Sequence, residues 1–320
     1  MVLRPDQPTI PAGGLPLLPC TSSQRRATSR ISCKQRQKNM SWMSLFTSGR
    51  NMQPAEARSF MKHHRVGEYQ LLDVRQFKEY ERAHLPGAVL IPVLDLPARI
   101  IELDPQLPTL VYCRNGLRSR AACQMLRGCG FAEVINISGG IRAWNGLLLS
   151  GQETKGMEFF ISDDFGNAFL MAYAMEAGLK QFYLAMADLV ESREQKGLLK
   201  HMADFEDGHM AKLLQQYRKG LPGGLDVPEN VSVMEGGFDK DKTLLAYSDY
   251  LESMEDIIQL GMMLETQAYD LYSRLARKND KPELQEFYRH MADEEKIHLG
   301  QLSRSLDRIL AGQRLEQPRF

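Results

Sequence analysis

The chain has 320 residues, with 40 basic and 40 acidic side chains and no net charge at neutral pH. A net charge of zero overall gives no indication of nucleic-acid binding, and no apolar run approaches the roughly 18 residues of a membrane span. The five cysteines are odd in number and lack paired spacing, which argues against a disulfide scaffold and indicates a reducing cytoplasm. The length predicts two domains of about 100 to 160 residues.

Residues 1–39 form a basic leader that is rich in Pro, Ser and Gly. They contain seven Lys or Arg side chains and a single acid, Asp6. A segment of this composition cannot bury enough apolar surface to order itself, so we predict disorder. An Arg-rich, acid-poor leader is also typical of an organellar transit peptide. Because it lacks a clear amphipathic helix, and domain-like sequence follows Met40, we favour a non-native extension upstream of translation from Met40.

Residues 40–150 are predicted to form an α/β domain. Short apolar runs alternate with amphipathic segments, which is typical of a largely parallel sheet with flanking helices. The predicted strands are Gln70–Val74, Ala88–Ile91, Leu110–Cys113 and Glu133–Ile137. The predicted helices are Gln76–Ala83, Leu96–Leu103 and Ser119–Arg127. Since ligands of open parallel sheets bind beyond the carboxyl ends of the strands, the most informative position is Cys113, which ends the most apolar strand.

The loop after Cys113 has the composition of an anion cradle. Gly116 allows a tight curl in which backbone N–H groups point at the sulfur, and Ser119 opens the next helix. A helix N-terminus and the cations Arg114 and Arg118 favour the thiolate, which is the nucleophilic form. The predicted site therefore has a catalytic set and a loop that would hold a persulfide. The catalytic set is Cys113, Arg114 and Arg118, and the loop adds Asn115, Gly116, Leu117 and Ser119.

The flanking motifs resemble those of the single-domain rhodaneses. The matching stretches, in the family's order, are Leu72-Asp73-Val74-Arg75, His84-Leu85-Pro86-Gly87-Ala88 and Gly139-Gly140-Ile141-Arg142-Ala143-Trp144. The resemblance covers roughly residues 50–147 and implies a sulfurtransferase that forms a persulfide on Cys113. Phosphatases on this fold have Cys-x5-Arg, whereas Cys113 and Arg118 give Cys-x4-Arg, a smaller loop that suits sulfur. A binding module without activity remains the alternative.

The second domain, predicted over residues 156–314, contains a repeat with an offset of 89 residues. His201–His209 reappears as His290–His298, and the same shift carries Glu176 onto Glu265 and Tyr183 onto Tyr272. Each half thus has a Glu, a Tyr seven residues later, and a Glu-x-x-His. A duplicated two-helix unit with such residues is how a four-helix bundle builds a dinuclear metal site.

Helix geometry places these polar side chains on apolar faces. Glu206 lies one turn from His209, and Glu295 lies one turn from His298. Buried carboxylates that cluster without a cation would have to be largely protonated, so two divalent ions would resolve the conflict. Mixed oxygen and nitrogen ligands suit iron or manganese.

This pattern resembles the ferritin-like di-iron proteins, and its internal symmetry is most similar to that of rubrerythrins. The resemblance covers roughly residues 158–311 and implies a centre of two iron ions, with manganese as the alternative. It implies that Glu206 and Glu295 bridge the metals, and that Glu176 and Glu265 are terminal ligands. The same resemblance implies that His209 and His298 each bind one ion. Tyr183 and Tyr272 are interpreted either as hydrogen-bond donors to the ligands or as packed core residues.

Two departures from rubrerythrins affect the functional interpretation. Ala268 stands where these proteins have a further Glu that takes part in a redox-linked ligand switch, and the chain has no Cys-x-x-Cys rubredoxin module. Any electron donor must therefore be external. Gly146–Lys155 is the predicted linker between the domains, and Gly220–Asp239 is the predicted crossover between the two helical hairpins.

The sequence predicts a cytoplasmic bifunctional protein. Its expected partners are a small-molecule sulfane sulfur donor, a thiol acceptor, peroxide or dioxygen and an external electron donor, with no nucleic acid and no membrane. One alternative is an iron-storage bundle with the rhodanese domain as sensor or docking module. The oligomeric state is open, with a homodimer among the options. Sulfur carried by Cys113 would supply electrons to the metal site, or the fusion would only co-produce two independent activities.

Overall fold

A five-stranded parallel sheet organises the first part of the chain in the computed structural model, which describes residues 50–160, 165–217, 232–248 and 251–312. The strands are β1 (Arg50–Met52), β2 (Gln70–Asp73), β3 (Val89–Leu90), β4 (Thr109–Tyr112) and β5 (Val134–Ile137). Their order is β1-β5-β4-β2-β3. Every residue of β4 and β5 is buried, as expected for a parallel sheet covered on both faces.

Four helices connect and cover these strands: α1 (Pro54–His63), α2 (Phe77–Arg82), α3 (Leu96–Arg99) and α4 (Leu117–Gly128). Capping boxes start α1, through Gln53 and Glu56, and α2, through Gln76 and Glu79. The predicted α/β class is confirmed, and all four predicted strands are present. Strand β1 and helix α1 were not predicted, because β1 is too short for a recognisable alternation and precedes the patterned region.

Four long helices form the second part: α5 (Phe165–Leu189), α6 (Arg193–Tyr217), α8 (Met254–Lys278) and α9 (Pro282–Leu310). They pack as two antiparallel hairpins, α5 with α6 and α8 with α9, around a core of Leu, Met, Phe and Tyr side chains. The predicted four-helix bundle is therefore confirmed. Within the described residues, no helix is both long and apolar enough to cross a membrane.

Parts of the predicted organisation lie outside the described residues. These are the leader 1–39, residues 40–49 of the predicted α/β domain, residues 220–231 of the predicted crossover, and residues 161–164, 218–219, 249–250 and 313–314 of the predicted bundle domain. The described end of the crossover contains β6 (Val233–Met234), a 3-10 turn at Glu235–Gly237, β7 (Phe238–Asp239) and the short helix α7 (Lys240–Tyr247). β6 and β7 pair as a two-stranded antiparallel ribbon.

The predicted linker is held against both parts of the protein. Leu149 exchanges two backbone hydrogen bonds with His84, at 2.8 and 2.9 Å, and the Gly151 N–H donates to the carbonyl of Glu81. On the other side, Arg274 donates to the carbonyl of Glu153 at 2.6 Å. The connection between the domains is therefore a fixed contact and not a free tether.

Helix α8 is buried almost all round because it packs on the bundle and on the α/β domain. On its outer side the guanidinium of Arg274, fully buried, donates to Asp270 at 2.8 Å. The second oxygen of Asp270 accepts the Gly87 N–H at 2.8 Å. Burial alone raises the pKa of Asp270, but the charge of Arg274, with His84 and the Gly87 N–H, lowers it to about 2.

The bundle packs against one end of the sheet, the end at which the parallel strands begin. Its contacts reach the loop before β2, where Tyr69 meets Tyr269 and Val66 donates to Asp293, and the loop before β3, at Gly87. Loops that precede parallel strands lie at the amino-terminal edge of a sheet. The bundle therefore contacts the edge opposite the carboxyl end of β4, where Cys113 lies.

Asp270→Ala is expected to destabilise the protein by about 3–5 kcal/mol, because it leaves Arg274 buried without its anionic partner. The measurement is urea unfolding followed by helical circular dichroism. Because the pKa of Asp270 is depressed, the wild-type advantage is present above about pH 4 and is lost as the pH falls toward about 2.

The matched control is Glu286→Ala. Glu286 forms an exposed ion pair with Arg65 across the same domain boundary, so its loss is expected to cost less than about 1 kcal/mol. Equal effects of the two substitutions would contradict a structural role for the buried pair.

Candidate functional site

Cys113 lies directly after β4, beneath a loop that turns tightly into α4. Gly116 has a φ of +96°, which L side chains rarely adopt, and its N–H donates to the Cys113 sulfur at 3.1 Å. The Ser119 hydroxyl lies 3.5 Å from the same sulfur. The loop after β5 supports the site from below, since the Ile141 N–H donates to the Cys113 carbonyl at 2.8 Å.

The thiol of Cys113 is poised toward its anionic form. Burial alone raises its pKa, but the Ser119 hydroxyl and the backbone N–H groups of Ser119, Asn115 and Gly116 lower it below its usual value. Burial raises the pKa of Cys123, a thiol on α4, to about 12, so Cys123 stays protonated. The pKa of Cys113 is thus lowered and that of Cys123 raised, although both side chains are buried in the same domain.

The predicted cations of the loop differ in their environment. Arg118 forms a bidentate salt bridge with Glu79, at 2.7 and 2.8 Å, which lowers the pKa of Glu79 to about 2. Arg114 is exposed at the rim of the loop, as are Asn115 and Leu117. Because Cys113 itself is fully buried, a sulfur donor must approach through this rim.

Sequence reasoning missed a buried polar chain behind the sulfur. Ser119 donates to the side-chain oxygen of Asn136 at 2.6 Å, and the Asn136 amide donates to Asn51 at 2.8 Å. This chain fixes the Ser119 rotamer beside Cys113. Asn136 interrupts an apolar strand, Val134–Ile137, which is the one signal in the sequence that could have indicated it.

The bundle core brings all six predicted metal-binding side chains together. Potential ligand atoms within 4.8 Å of one another form two triplets, Glu176–Glu206–His209 and Glu265–Glu295–His298. The two imidazoles stack with ring centroids 3.6 Å apart, and both turn Nδ1 toward carboxylates. All six residues are at least 95% buried. The 89-residue repeat thus becomes two matching half-sites.

Without a cation, the buried carboxylates of this cluster repel one another. Burial, with repulsion from neighbouring carboxylates, raises the pKa of Glu206 and of Glu295 well above the usual range. Burial raises the pKa of Glu176, but the His209 imidazole, whose Nδ1 lies 3.6 Å from Glu176 Oε2, outweighs that effect and lowers it. The pKa of His209 is raised to about 10: burial lowers it, but Glu176 and Glu206 outweigh that effect.

The donor set fits a pair of first-row metal ions. Glu176 Oε2 and Glu295 Oε1 are buried and have no hydrogen-bond partner among the described residues, so lone pairs are left over for a cation. Four carboxylates match the charge of two divalent ions, and the oxygen-rich set with two imidazoles suits iron or manganese.

A fifth buried carboxylate in the cluster was not predicted. Glu235, from the 3-10 turn of the crossover, is 1% exposed and has an oxygen within 4.8 Å of Glu176 and Glu295 ligand atoms. Burial and the nearby carboxylates raise its pKa well above the usual range. The repeat could not indicate it, because an offset of 89 residues gives Glu235 no counterpart in the bundle.

The two predicted tyrosines are buried beside the cluster but make different contacts. Tyr272 donates to Glu235 at 3.2 Å. The hydroxyl of Tyr183 has no hydrogen-bond partner among the described residues, although it packs near Gly261 on α8. Tyr272 therefore touches the carboxylate cluster through a residue that the sequence did not indicate.

A small cavity of about 20 Å³ borders the second half-site. Its walls include Glu206, Glu265 and His298, and its remaining walls are formed mainly by apolar side chains such as Met202 and Leu302. A cavity of this size holds about one water molecule. The space beside the carboxylates therefore suits a very small molecule.

Comparisons with known proteins also separate the α/β domain from the helical bundle. The family described as "Rhodanese-like domain" matches residues 56–147, and the family described as "Rubrerythrin" matches residues 167–306. The "Putative sulfur carrier protein YrkF" of Bacillus subtilis is 41% identical over 76 residues, which are 24% of this chain and 41% of that protein. The "Sulfurtransferase" of Allochromatium vinosum is 36% identical over 74 residues, which are 23% of this chain and 69% of that protein.

Among solved structures, the crystal structure of a rhodanese-like domain protein from Staphylococcus aureus has 23% sequence identity. The similarity covers 32% of this chain and 99% of that chain, with a TM-score of 0.30. The match covers less than half of the length of YrkF. Each of these three similarities covers a third or less of this chain.

Thiolate formation at Cys113 is expected at a pH below the usual thiol value of about 8.5, because hydrogen bonds lower its pKa. The measurement is the ultraviolet absorbance of the thiolate during a pH titration, as the difference between wild type and Cys113→Ser. Ser119→Ala is expected to move the midpoint upward. A wild-type midpoint at or above the usual value would contradict the thiolate cradle.

Proposed function

Because the chain joins a rhodanese-like domain to a rubrerythrin domain, we propose that it is a bifunctional redox protein. The first domain is a sulfurtransferase that carries sulfur as a persulfide on Cys113. The second is a di-iron domain that reduces peroxide or dioxygen with electrons from an external donor. The observation that carries the first assignment is the Cys113 sulfur at the focus of loop N–H groups, and six clustered ligands carry the second.

The sulfur-transfer step follows from the thiolate of Cys113. Its sulfur attacks the outer sulfur of a donor such as thiosulfate, a new S–S bond forms, and the old one breaks as sulfite leaves with the electron pair. A thiolate or cyanide acceptor then attacks the outer sulfur of the Cys113 persulfide. That S–S bond breaks and the Cys113 thiolate is regenerated, so the cycle needs no further oxidant or reductant.

The loop is suited to hold both anions of this cycle. The Gly116 N–H points at the Cys113 sulfur, and the exposed rim of Arg114, Asn115 and Leu117 is where donor and acceptor would enter. Arg118, paired with Glu79, would position the loop and offset part of its negative charge. Such chemistry requires a reduced Cys113, which is the reason for proposing a cytoplasmic location.

In the second domain the chain's own residues would hold two metal ions and shield them from bulk water. Glu206 and Glu295 would bridge, Glu176 and Glu265 would be terminal ligands, and His209 and His298 would each bind one ion through Nδ1. When bound, a di-iron centre supplies electrons to an oxidant. The cavity of about 20 Å³ beside Glu206 and His298 favours peroxide or dioxygen over bulkier oxidants.

Within one chain, sulfur bound at Cys113 would reach the metal site only on a diffusible carrier. Cys113 follows β4 at the carboxyl edge of the sheet, whereas the bundle contacts the loops before β2 and β3 at the amino edge. A four-residue strand spans about 13 Å, so the persulfide does not face the metal-binding residues directly. A small-molecule persulfide released at Cys113 is the form in which sulfur could act as electron donor.

Cys113→Ser is expected to abolish thiosulfate:cyanide sulfur transfer, because a hydroxyl cannot form the persulfide. Cys123→Ser is the matched control, since Cys123 is buried on the helix that follows the Cys113 loop and its raised pKa keeps it protonated. Its activity should remain within about threefold of wild type. Transfer at the wild-type rate by the Cys113 variant would rule out the assignment.

Glu206→Gln/Glu295→Gln is expected to remove nearly all bound iron, because both proposed bridging carboxylates lose their charge. Metal analysis of the purified protein measures this loss, and wild type should bind two ions per chain. The control is Asp204→Asn/Glu283→Gln, which removes exposed carboxylates from the same two helices, α6 and α9. A wild-type stoichiometry far above two would favour iron storage instead.

A further inference from the structure

Glu235 is a buried carboxylate that belongs to neither of the two half-sites. It is the first residue of the 3-10 turn between β6 and β7, and it lies outside the four long helices that carry the six proposed ligands. One of its oxygens accepts the Tyr272 hydroxyl at 3.2 Å. The other, Oε2, is buried and has no hydrogen-bond partner among the described residues. That oxygen therefore has lone pairs available to a cation.

The turn is built into the bundle at the level of the cluster. Gly178 on α5, two residues after Glu176, lies so close to β6 that a Cβ there would stand 2.5 Å from the Val233 carbonyl oxygen. On the other side Gly236, with a φ of +70°, packs on α8, where a Cβ would stand 2.6 Å from Gln267 and 3.1 Å from the Ala268 nitrogen. Glycines on both sides thus let the turn enter between α5 and α8.

The position of the turn is informative because of what α8 lacks. Ala268, one turn after Glu265, is fully buried and offers no ligand to the cluster. The Glu235 turn packs directly on the backbone there. A carboxylate from the crossover therefore reaches the cluster beside a helix position that carries no ligand.

We propose that Glu235 is a seventh ligand of the metal centre, delivered by the crossover turn and not by a bundle helix. This inference rests on the proposed di-metal function and names one more residue of the same site. Glu235 would bind the ion that Glu176 holds and Glu295 bridges, since potential ligand atoms of these three lie within 4.8 Å of one another. Tyr272 would orient its second oxygen.

A fifth carboxylate changes the charge balance of the centre. Four carboxylates neutralise two divalent ions, whereas a fifth leaves excess negative charge that favours the more highly charged, oxidised metal pair. Glu235 would therefore lower the midpoint potential of bound iron. It would also tie the crossover to the metal, so that the turn becomes more rigid when the centre is filled.

The test uses Glu235→Gln, which preserves the shape and the Tyr272 contact but removes the charge. Metal-free full-length protein is titrated anaerobically with Co(II), followed by its visible absorption. Wild type is expected to bind two equivalents, and the variant to bind one of them at least tenfold more weakly. Glu158→Gln, an exposed carboxylate beside the same turn, is the control and should match wild type.

A second readout separates a ligand from a structural residue. Without metal, Glu235→Gln should melt at or above the wild-type temperature, because it removes a buried carboxylate from a crowded cluster. With Co(II), it should gain less stability than wild type, and with iron its midpoint potential should shift upward. Loss of stability without metal and unchanged Co(II) affinities would overturn the proposal.

The outcomes also distinguish this inference from the function on which it rests. If wild type binds two ions and both Glu235→Gln and Glu235→Ala do so with dissociation constants within twofold of wild type, Glu235 is not a ligand and the di-metal function stands. If wild type binds fewer than two ions, the di-metal function fails and Glu235 fails with it.

Discussion

The burial of five carboxylates and two imidazoles in one bundle core is the constraint on which the second domain depends. Each buried ion costs several kcal/mol, and carboxylates this close repel one another strongly. In the metal-free cluster the balance is met by shared protons, with the pKa of Glu206 and Glu295 raised and that of His209 raised to about 10. Two cations would replace those protons and satisfy the oxygens that lack partners.

Helix α8 connects this constraint to the rest of the molecule. Glu265 faces the cluster and Asp270, five residues later, faces the α/β domain about 140° around the helix. Asp270 pairs with Arg274 and accepts the Gly87 N–H, so the helix that carries the candidate ligand Glu265 also holds the neighbouring domain. The bundle and the sheet are thereby fixed against one another, with Cys113 on the far edge.

The two sites handle negative charge by different means. At Cys113 a single anion is held by backbone N–H groups and one hydroxyl, which need no cation and leave the sulfur open to exchange partners. In the bundle several carboxylates are concentrated, and protons or added cations must balance their charge. Backbone N–H groups suit a sulfur atom that is exchanged, whereas buried carboxylates suit ions that remain bound.

The sequence by itself determined the features that depend on local spacing or on repetition. Alternating apolar runs indicated four strands of the sheet, and Gly116 indicated the turn after Cys113. The 89-residue offset picked out the six side chains, and one helix turn brings Glu206 to His209 and Glu295 to His298 whatever the tertiary structure. Only the tertiary structure decided the features that join distant segments. Glu235 and Asn136 lie far in sequence from their partners, and the pairing of Asp270 with Gly87 depends on which edge of the sheet the bundle covers. No local pattern encodes such contacts, since they follow from how helices and strands pack and not from the order of residues within them.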